Sequence, residues 1–461
     1  MISQHALAQS LYEAMSELWI IDAHNHVPPE TERLALEVDA VSLFENYPSM
    51  DLAAAGMSEP EYSTMIDRDV PLEKRWKILE KYLPAIRNTS LTRSTLLGIR
   101  ELYGFDDITA DNYRAVSERM QAENKPGIYR RIFRDHGRIL LALNQDFIPI
   151  WRLPEKGSFR IPQMWEIQYN VAFGAERPLK RIEDDLGCSA ESFDEYLEAV
   201  AELMAYYQKR GVVGIKLDKP TILSDPQKSE VSPLFDRVIK FRSPEPVNDC
   251  RMSAFEAWRK EAAGKGRTAV PEIPLTPEEK SALRDYIAHS IIRTAGELGL
   301  VVIQHASMLG TGGDFRRTRA TDLIPVISKY PQTKFEIYHL GMPWPREIGM
   351  MAKAFPNVWL NLCWASSVSP RMTRSALSEW LDLVPVNKII AFGADTYLWT
   401  EWVLGDLIQT REVLSSVLAE RIGEGLSNEQ QVLEQARMML YETPKNLYGL
   451  DCSPGDDSLY V

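Results

Sequence analysis

Six residues able to hold a metal ion or move protons stand at or near the ends of apolar runs in this chain of 461 residues. "LWIIDAHNH" ends in His24 and His26, and "VVGIKLD" carries Lys216. "LVVIQH" ends in His305, "KFEIYH" in His339 and "KIIAFGAD" in Asp395. In an extended chain residues i and i+2 point to the same side, so the imidazoles of His24 and His26 can converge on one point. The chain has seven histidines. The other three, His5, His136 and His289, lie in helical or loop segments. Each strand-end residue has an ordinary alternative. His305 could be a hydrogen-bonded core histidine, and His339 could cap the loop "LGMPWP". Asp395 could N-cap the helix starting near "TEWVLGDL", and Lys216 could pair with Asp218 or snorkel. Those alternatives do not explain the joint placement. Three neutral imidazoles and a carboxylate suit a borderline divalent ion, zinc first, with iron(II) or manganese as alternatives. Such an ion lowers the pKa of bound water toward ~7, and Asp395 beside it could take that proton and return it to a leaving group. Lys216 could serve as a base or, if carboxylated, bridge a second ion.

The elements that must position these residues follow from pattern. In "SFDEYLEAVAELMAYYQKRGVVGIKLDKP", Ser192 and Glu195 predict a capping box. An apolar stripe at helical spacing follows, Gly211 ends the helix, and a buried strand comes next. In "LTPEEKSALRDYIAHSIIRTAGELGLVVIQHA", Thr276 caps, Pro277 takes the first helical position and Gly299 precedes the strand. "DLIPVISKYPQTKFEIYHLG", "PREIGMMAKAFPNVWLNLCW" and "SALSEWLDLVPVNKIIAFGAD" repeat the unit. Strand–helix alternation with buried strands predicts a parallel sheet, and this many units predict an α/β fold closed as a (β/α)8 TIM barrel. A doubly wound open sheet is the alternative. Residues 30–135 carry helical spacing only and predict a helical insertion after strand 1, within a single domain spanning 1–461. The segment 222–274 is too long for a simple connection and reads as a lid-like insertion, or as a surface elaboration. "LGTGGDF" (309–315) lacks the lysine of a phosphate-binding loop and reads as a loop after strand 5.

A net charge of -13 argues against a nucleic-acid backbone or an anionic membrane as partner. A small-molecule substrate, such as a carboxylate held by a local cation, is compatible with it. No basic n-region with an apolar stretch opens the chain and no apolar run has transmembrane length. Four scattered cysteines form no CxxC pair, so the expected compartment is the cytoplasm.

With His24-x-His26, Lys216, His305, His339 and Asp395 in that order, the chain resembles the metal set of the amidohydrolase superfamily. "VVIQHA", "FEIYHLG", "FPNVWLNLCW" and "IIAFGADTY" resemble its "amidohydrolase 2" group of metal-dependent hydrolases and decarboxylases. "HNHVPPE" with the following helices, "RWKILEKYLPAIRNTSLTRSTLLGIRELYGF" and "FIPIWRLPEK" resemble the uronate isomerases of the same superfamily. That resemblance implies that Arg152 contacts a sugar acid. Tyr397 stands where those isomerases carry an arginine for the substrate carboxylate, and they lack counterparts of Lys216 and His339. The resemblance implies a metal-dependent hydrolase in which metal-bound hydroxide attacks an amide, ester or lactone carbonyl. His24, His26, His305 and Asp395 would hold the main ion, with Lys216 and His339 at a second ion or the substrate oxygen. Asp395, His339 and Lys216 are the expected catalytic residues. Trp151, Arg152, Trp364 and Tyr397 are the expected pocket walls, and a homo-oligomer is the expected assembly. The alternatives are an aldose–ketose isomerase acting on a sugar acid, a non-oxidative decarboxylase, and a barrel that binds without catalysis.

Overall fold

Short aliphatic and β-branched runs form seven of the eight strands, and β3 reads Gln-Met-Trp-Glu. They are β1 (Ile20–Asn25), β2 (Ile139–Gln145), β3 (Gln163–Glu166), β4 (Gly214–Leu217), β5 (Val301–Gln304), β6 (Lys334–Ile337), β7 (Val358–Asn361) and β8 (Ile389–Ile390). The computed structural model describes residues 4–145, the strand 163–166, and 190–209, 211–217, 224–239, 275–308 and 313–454. Trp151, Arg152, Asp218 and most of the 222–274 segment lie outside the described residues, as do residues 309–312 of the glycine-rich loop.

The strands pair in sequence order, each parallel to the next. β8 gives only two residues to the ladder with β7. The chain beyond it then turns onto β1. The amide of Ala23 donates to the Phe392 carbonyl (3.1 Å), that of Asp395 to the His24 carbonyl (2.8 Å) and that of His26 to the Thr396 carbonyl (3.0 Å). Two side chains reinforce the seam: Asp22 Oδ1 accepts from the Ala394 amide (3.0 Å) and Asn25 Oδ1 from the Thr396 amide (2.9 Å). The ring is therefore closed, and the open-sheet alternative fails. The fold is a (β/α)8 barrel, in which every strand C-terminus opens onto one face.

The helices are α1 (Gln4–Ser16), α2 (Glu30–Leu34), α3 (Pro48–Ala54), α4 (Glu59–Ile66), α5 (Leu72–Ile86), α6 (Ser90–Tyr103) and α7 (Tyr113–Glu123). A π-helical turn at Arg130–His136 leads into β2. Then come α8 (Phe193–Gln208), α9 (Lys228–Ile239), α10 (Pro277–Leu298), α11 (Ile324–Lys329), α12 (Pro345–Ala354), α13 (Ala365–Val368) and α14 (Pro370–Leu383). The last three are α15 (Glu401–Gly423), α16 (Glu429–Arg437) and α17 (Thr443–Tyr448). Thr276 and Glu279 make the reciprocal cap of α10. At α8 the expected box is only half made. Ser192 Oγ accepts from the Glu195 amide, but the Glu195 carboxylate takes the Glu191 amide (2.7 Å), one residue earlier than expected. None of the helices among the described residues is long and apolar enough to cross a membrane.

Between β1 and β2 the ordered elements are helical. They pack a second apolar cluster around Trp76, Leu79, Tyr103, Val116 and Trp399. α6 lies almost in backbone contact with α15. A Cβ on Gly98 would sit 2.3 Å from the Glu401 carbonyl oxygen, and one on Gly405 only 1.9 Å from that of Ser94. A fully buried ion pair pins the start of these helices to α15, with Arg33 Nη2 2.9 Å from Glu401 Oε1. The Tyr103 hydroxyl donates to the same oxygen (2.7 Å), and Arg33 Nη1 donates to Asn124 (2.9 Å).

Candidate metal centre

β1 alternates its side chains, so His24 and His26 emerge on one side at its C-terminal end. Asp395 arrives from the β8 extension that hydrogen-bonds to β1. One carboxylate oxygen, Oδ1, lies 3.1 Å from His24 Nε2 and 3.2 Å from His26 Nε2. The other, Oδ2, faces His339 Nδ1 at 3.9 Å. Lys216 Nζ, from β4, is 2.8 Å from His24 Nε2 and sits above the Tyr338 ring. Beyond β6, β7 and β8, the residues His339 (φ 60°), Trp364 (φ 62°) and Asp395 (φ 51°) all hold left-handed backbone. Non-glycine residues adopt it at a cost of about 1–3 kcal/mol, and such outliers gather at functional sites.

Burial sets the ionisation states. It pushes His24 and His339 well below the ordinary imidazole range; the Lys216 ammonium adds to this at His24, and the neighbouring His305 at His339. Burial also lowers His26, against the pull of Asp395. At Asp395 burial raises the pKa, but the imidazoles of His24, His26 and His339 outweigh it and hold the carboxyl well below its usual range. At neutral pH the site thus presents neutral imidazoles and an ionised carboxylate, the protonation states a metal ion requires.

The donor set fits a divalent cation on two further grounds. One nitrogen, His24 Nε2, faces both the Lys216 ammonium and the Asp395 carboxylate. It cannot accept from one and donate to the other at once. His24 Nδ1 and His339 Nε2 are buried and have no hydrogen-bond partner among the described residues. Two sets of potential ligand atoms lie within 4.8 Å of one another: His24, His26 and Asp395, and His339, Cys363 and Asp395.

His305 departs from the expected primary set. Its ring packs 4.5 Å from that of His339, but Nε2 lies 3.1 Å from the Met308 carbonyl, and neither ligand set includes it. Asp395 is not a helix cap, because α15 begins at Glu401 after Thr400. His339 is turned inward and does not cap the loop after it. His289, by contrast, spends one nitrogen on Tyr330 and the other on the Ser224 carbonyl, as a core histidine does.

Tyr397 stacks on His26 (4.1 Å, 7° between planes). Trp364 lies 5.8 Å from His339 and 4.7 Å from Tyr47, a residue of the insertion absent from the expected site. Tyr47 sits in "FENYPS", where nothing in its spacing marks it; only the fold brings it over the barrel mouth. Cys363 is likewise hidden in sequence as one cysteine in an apolar run. Beside Asp395 runs a cleft lined by Tyr47, Leu91, Ser94, Trp364, Thr396 and Asp406. Burial pushes Asp406 up to about 7, and the Ser367 hydroxyl donates to it (2.7 Å).

A closed barrel with side chains that could hold a metal ion grouped at its C-terminal mouth invites comparison with known proteins. A family model described as Amidohydrolase matches residues 253–450, which carry β5 to β8. Over those residues the chain is similar to that family, and its barrel fold is shared with solved uronate isomerases. Among solved structures, glucuronate isomerase from Caulobacter crescentus superposes with a TM-score of 0.76 at 18% identity, covering 98% of this chain and 96% of that one. A protein from Lactobacillus casei described as a metal-dependent hydrolase superposes with a TM-score of 0.60 at 15% identity, covering 95% and 97%. Protein fluG of Emericella nidulans is 28% identical over 149 residues, 31% of this chain but only 16% of that protein's length.

Proposed function

We propose that this chain is a metal-dependent hydrolase of amide, ester or lactone bonds. The observation that carries the reading is the placement of Asp395, with one oxygen toward His24 and His26 and the other toward His339. A divalent ion held by His24, His26 and Asp395, with zinc the best match to the donors, would supply Lewis acidity and a water of lowered pKa. Asp395 is ionised at neutral pH and placed to take a proton from water and deliver it to the leaving atom. The buried ammonium of Lys216, on the His24 side, is positioned to stabilise negative charge on a substrate oxygen. Trp364 lines the cleft beside Asp395 and Tyr397 stacks on His26, where they could flank a substrate. The resemblance to the uronate isomerases places Tyr397 where they carry an arginine for the substrate carboxylate, which favours a different substrate.

A second reading, aldose–ketose isomerisation of a uronate, is favoured by the fold agreement with the glucuronate isomerase over 98% of the chain. The test is to offer the zinc-, iron(II)- and manganese-loaded protein a panel of amides, esters and lactones beside D-glucuronate and aromatic carboxylic acids. Hydrolysis lost in Asp395→Asn is the expected result. Ketose formation from the uronate with no hydrolysis anywhere in the panel selects the isomerase instead, and carbon dioxide release selects a decarboxylase.

A further inference from the structure

A buried thiol lies beside the candidate metal centre, grouped with His339 and Asp395. Cys363 lies two residues past the end of β7 and is fully buried. Its amide is pinned by Asn361 Oδ1 (2.7 Å), whose own Nδ2 donates to Glu336 (2.6 Å), so the backbone at the thiol is fixed from inside the barrel. The β8 extension passes against it through Gly393. A Cβ there would lie 3.0 Å from Cys363 Cβ, 3.1 Å from its sulfur and 3.1 Å from the His24 amide nitrogen. Glycine thus lets three strand ends close up, and Asp395 follows two residues later. His339 comes from the other neighbour, β6, with Nδ1 3.3 Å from the Cys363 carbonyl. Its Nε2 is buried and without a hydrogen-bond partner among the described residues.

We propose that Cys363 is a metal ligand, forming with His339 and the Asp395 carboxylate a second subsite for a thiophilic divalent ion. The three donor atoms lie within 4.8 Å of one another, and Zn–N and Zn–S bonds of about 2.1 and 2.3 Å bring such a set around one ion with small side-chain rotations. Asp395 then bridges the two subsites, one oxygen to each. Thiolate sulfur selects zinc over magnesium, calcium or manganese. The second subsite is therefore the more selective of the two, and the His24–His26–Asp395 set the more permissive. This inference rests on the metal-dependent reading above. Its rival is a cysteine that merely fills space between β7 and β8.

Cobalt(II) separates the two. The full chain is stripped with chelator and reloaded with cobalt, for wild type, Cys363→Ser and Cys363→Ala. Cobalt per chain is counted by mass spectrometry, and thiolate-to-cobalt charge-transfer absorption is read in the near ultraviolet. The expected result is two ions and a charge-transfer band in the wild type, falling to one ion and no band in either variant. Cobalt bound without the band, or a band and stoichiometry unchanged in the variants, overturns the subsite and leaves the His24–His26–Asp395 centre standing. If neither variant folds, the wild-type spectrum decides alone: no band, no thiolate ligand. A protein that takes up no cobalt overturns the metal reading and this subsite together.

Discussion

Replacing Arg33 with methionine should loosen the helices between β1 and β2 from the barrel. The change leaves Glu401 charged and fully buried, its Oε1 held among the described residues by the Tyr103 hydroxyl alone. Breaking a buried pair by removing one partner costs about 3–5 kcal/mol, because the remaining charge has lost both water and counter-ion. At about 1.4 kcal/mol per factor of ten, that is a rise of roughly two to three and a half powers of ten in the opening equilibrium. Hydrogen exchange reads it directly. Amides of Glu30–Leu34 and Ser90–Tyr103 should lose roughly a hundredfold or more in protection, while those of β5 to β7 change little. The double variant Arg33→Met with Glu401→Leu removes both charges and should recover most of the loss. A residue of about 1–3 kcal/mol should remain, because the Tyr103 hydroxyl loses its acceptor. A single-variant cost below about 1 kcal/mol, or a double variant costing the sum of the two singles, would refute the reasoning.

The other predictions concern the barrel core, the helix contact and the metal. Burial raises Glu336 from 4.5 to about 8, against the hydrogen bonds from Tyr448 and Asn361. Its folded-state pKa is above the unfolded one, so its contribution to stability is full below 4.5 and is lost as pH rises toward 8. The melting temperature of the wild type should therefore fall relative to Glu336→Gln across that window; parallel curves would refute it. Gly405→Ala puts a methyl 1.9 Å from the Ser94 carbonyl oxygen. It should destabilise by about 1–3 kcal/mol or more in denaturant titration, whereas Gly423→Ala, with nothing within 4 Å of the new Cβ, should cost little. Chelation should lower the melting temperature of metal-loaded wild type, since an ion at a hundred times its Kd adds about 2.7 kcal/mol. His24→Ala should blunt that response; an equal response in both proteins would remove His24 from the site.

The barrel was legible because its strands are short apolar runs punctuated by glycine, proline and caps. The strand-end donors were legible because the period of two in β1 and the run endings of β4, β6 and β8 set their direction. Other features were not, for physical reasons. β8 makes only two ladder pairs, and ring closure runs through backbone bonds between β1 and the β8 extension, reinforced by the side chains of Asp22 and Asn25. No local pattern announces that. Tyr47 reaches the site through the packing of the insertion, a long-range consequence of tertiary structure. His305 carries the same strand-end signal as His339, yet a carbonyl three residues on takes its Nε2. Strand position therefore identified the neighbourhood, and a local hydrogen bond occupies one of the two ring nitrogens. Arg152, the expected contact for a sugar acid, and Trp151, an expected pocket wall, lie outside the described residues.

The seam between β1 and the β8 extension has a consequence for how the centre comes into being. The amides and carbonyls that close the ring belong to the candidate ligands or to residues within three of them, and Asn25 meets Thr396 across 371 positions of sequence. A chain emerging from the ribosome displays His24 and His26 early, but these have no carboxylate to share until the final strand has been made. Truncated or stalled products would carry half a site and scavenge metal poorly. Once loaded, the ion would act as a clasp across the joint between first and last strands, so demetallation should be felt first as fraying there. A circular permutant cut elsewhere, which keeps that joint continuous in space, should still assemble the centre.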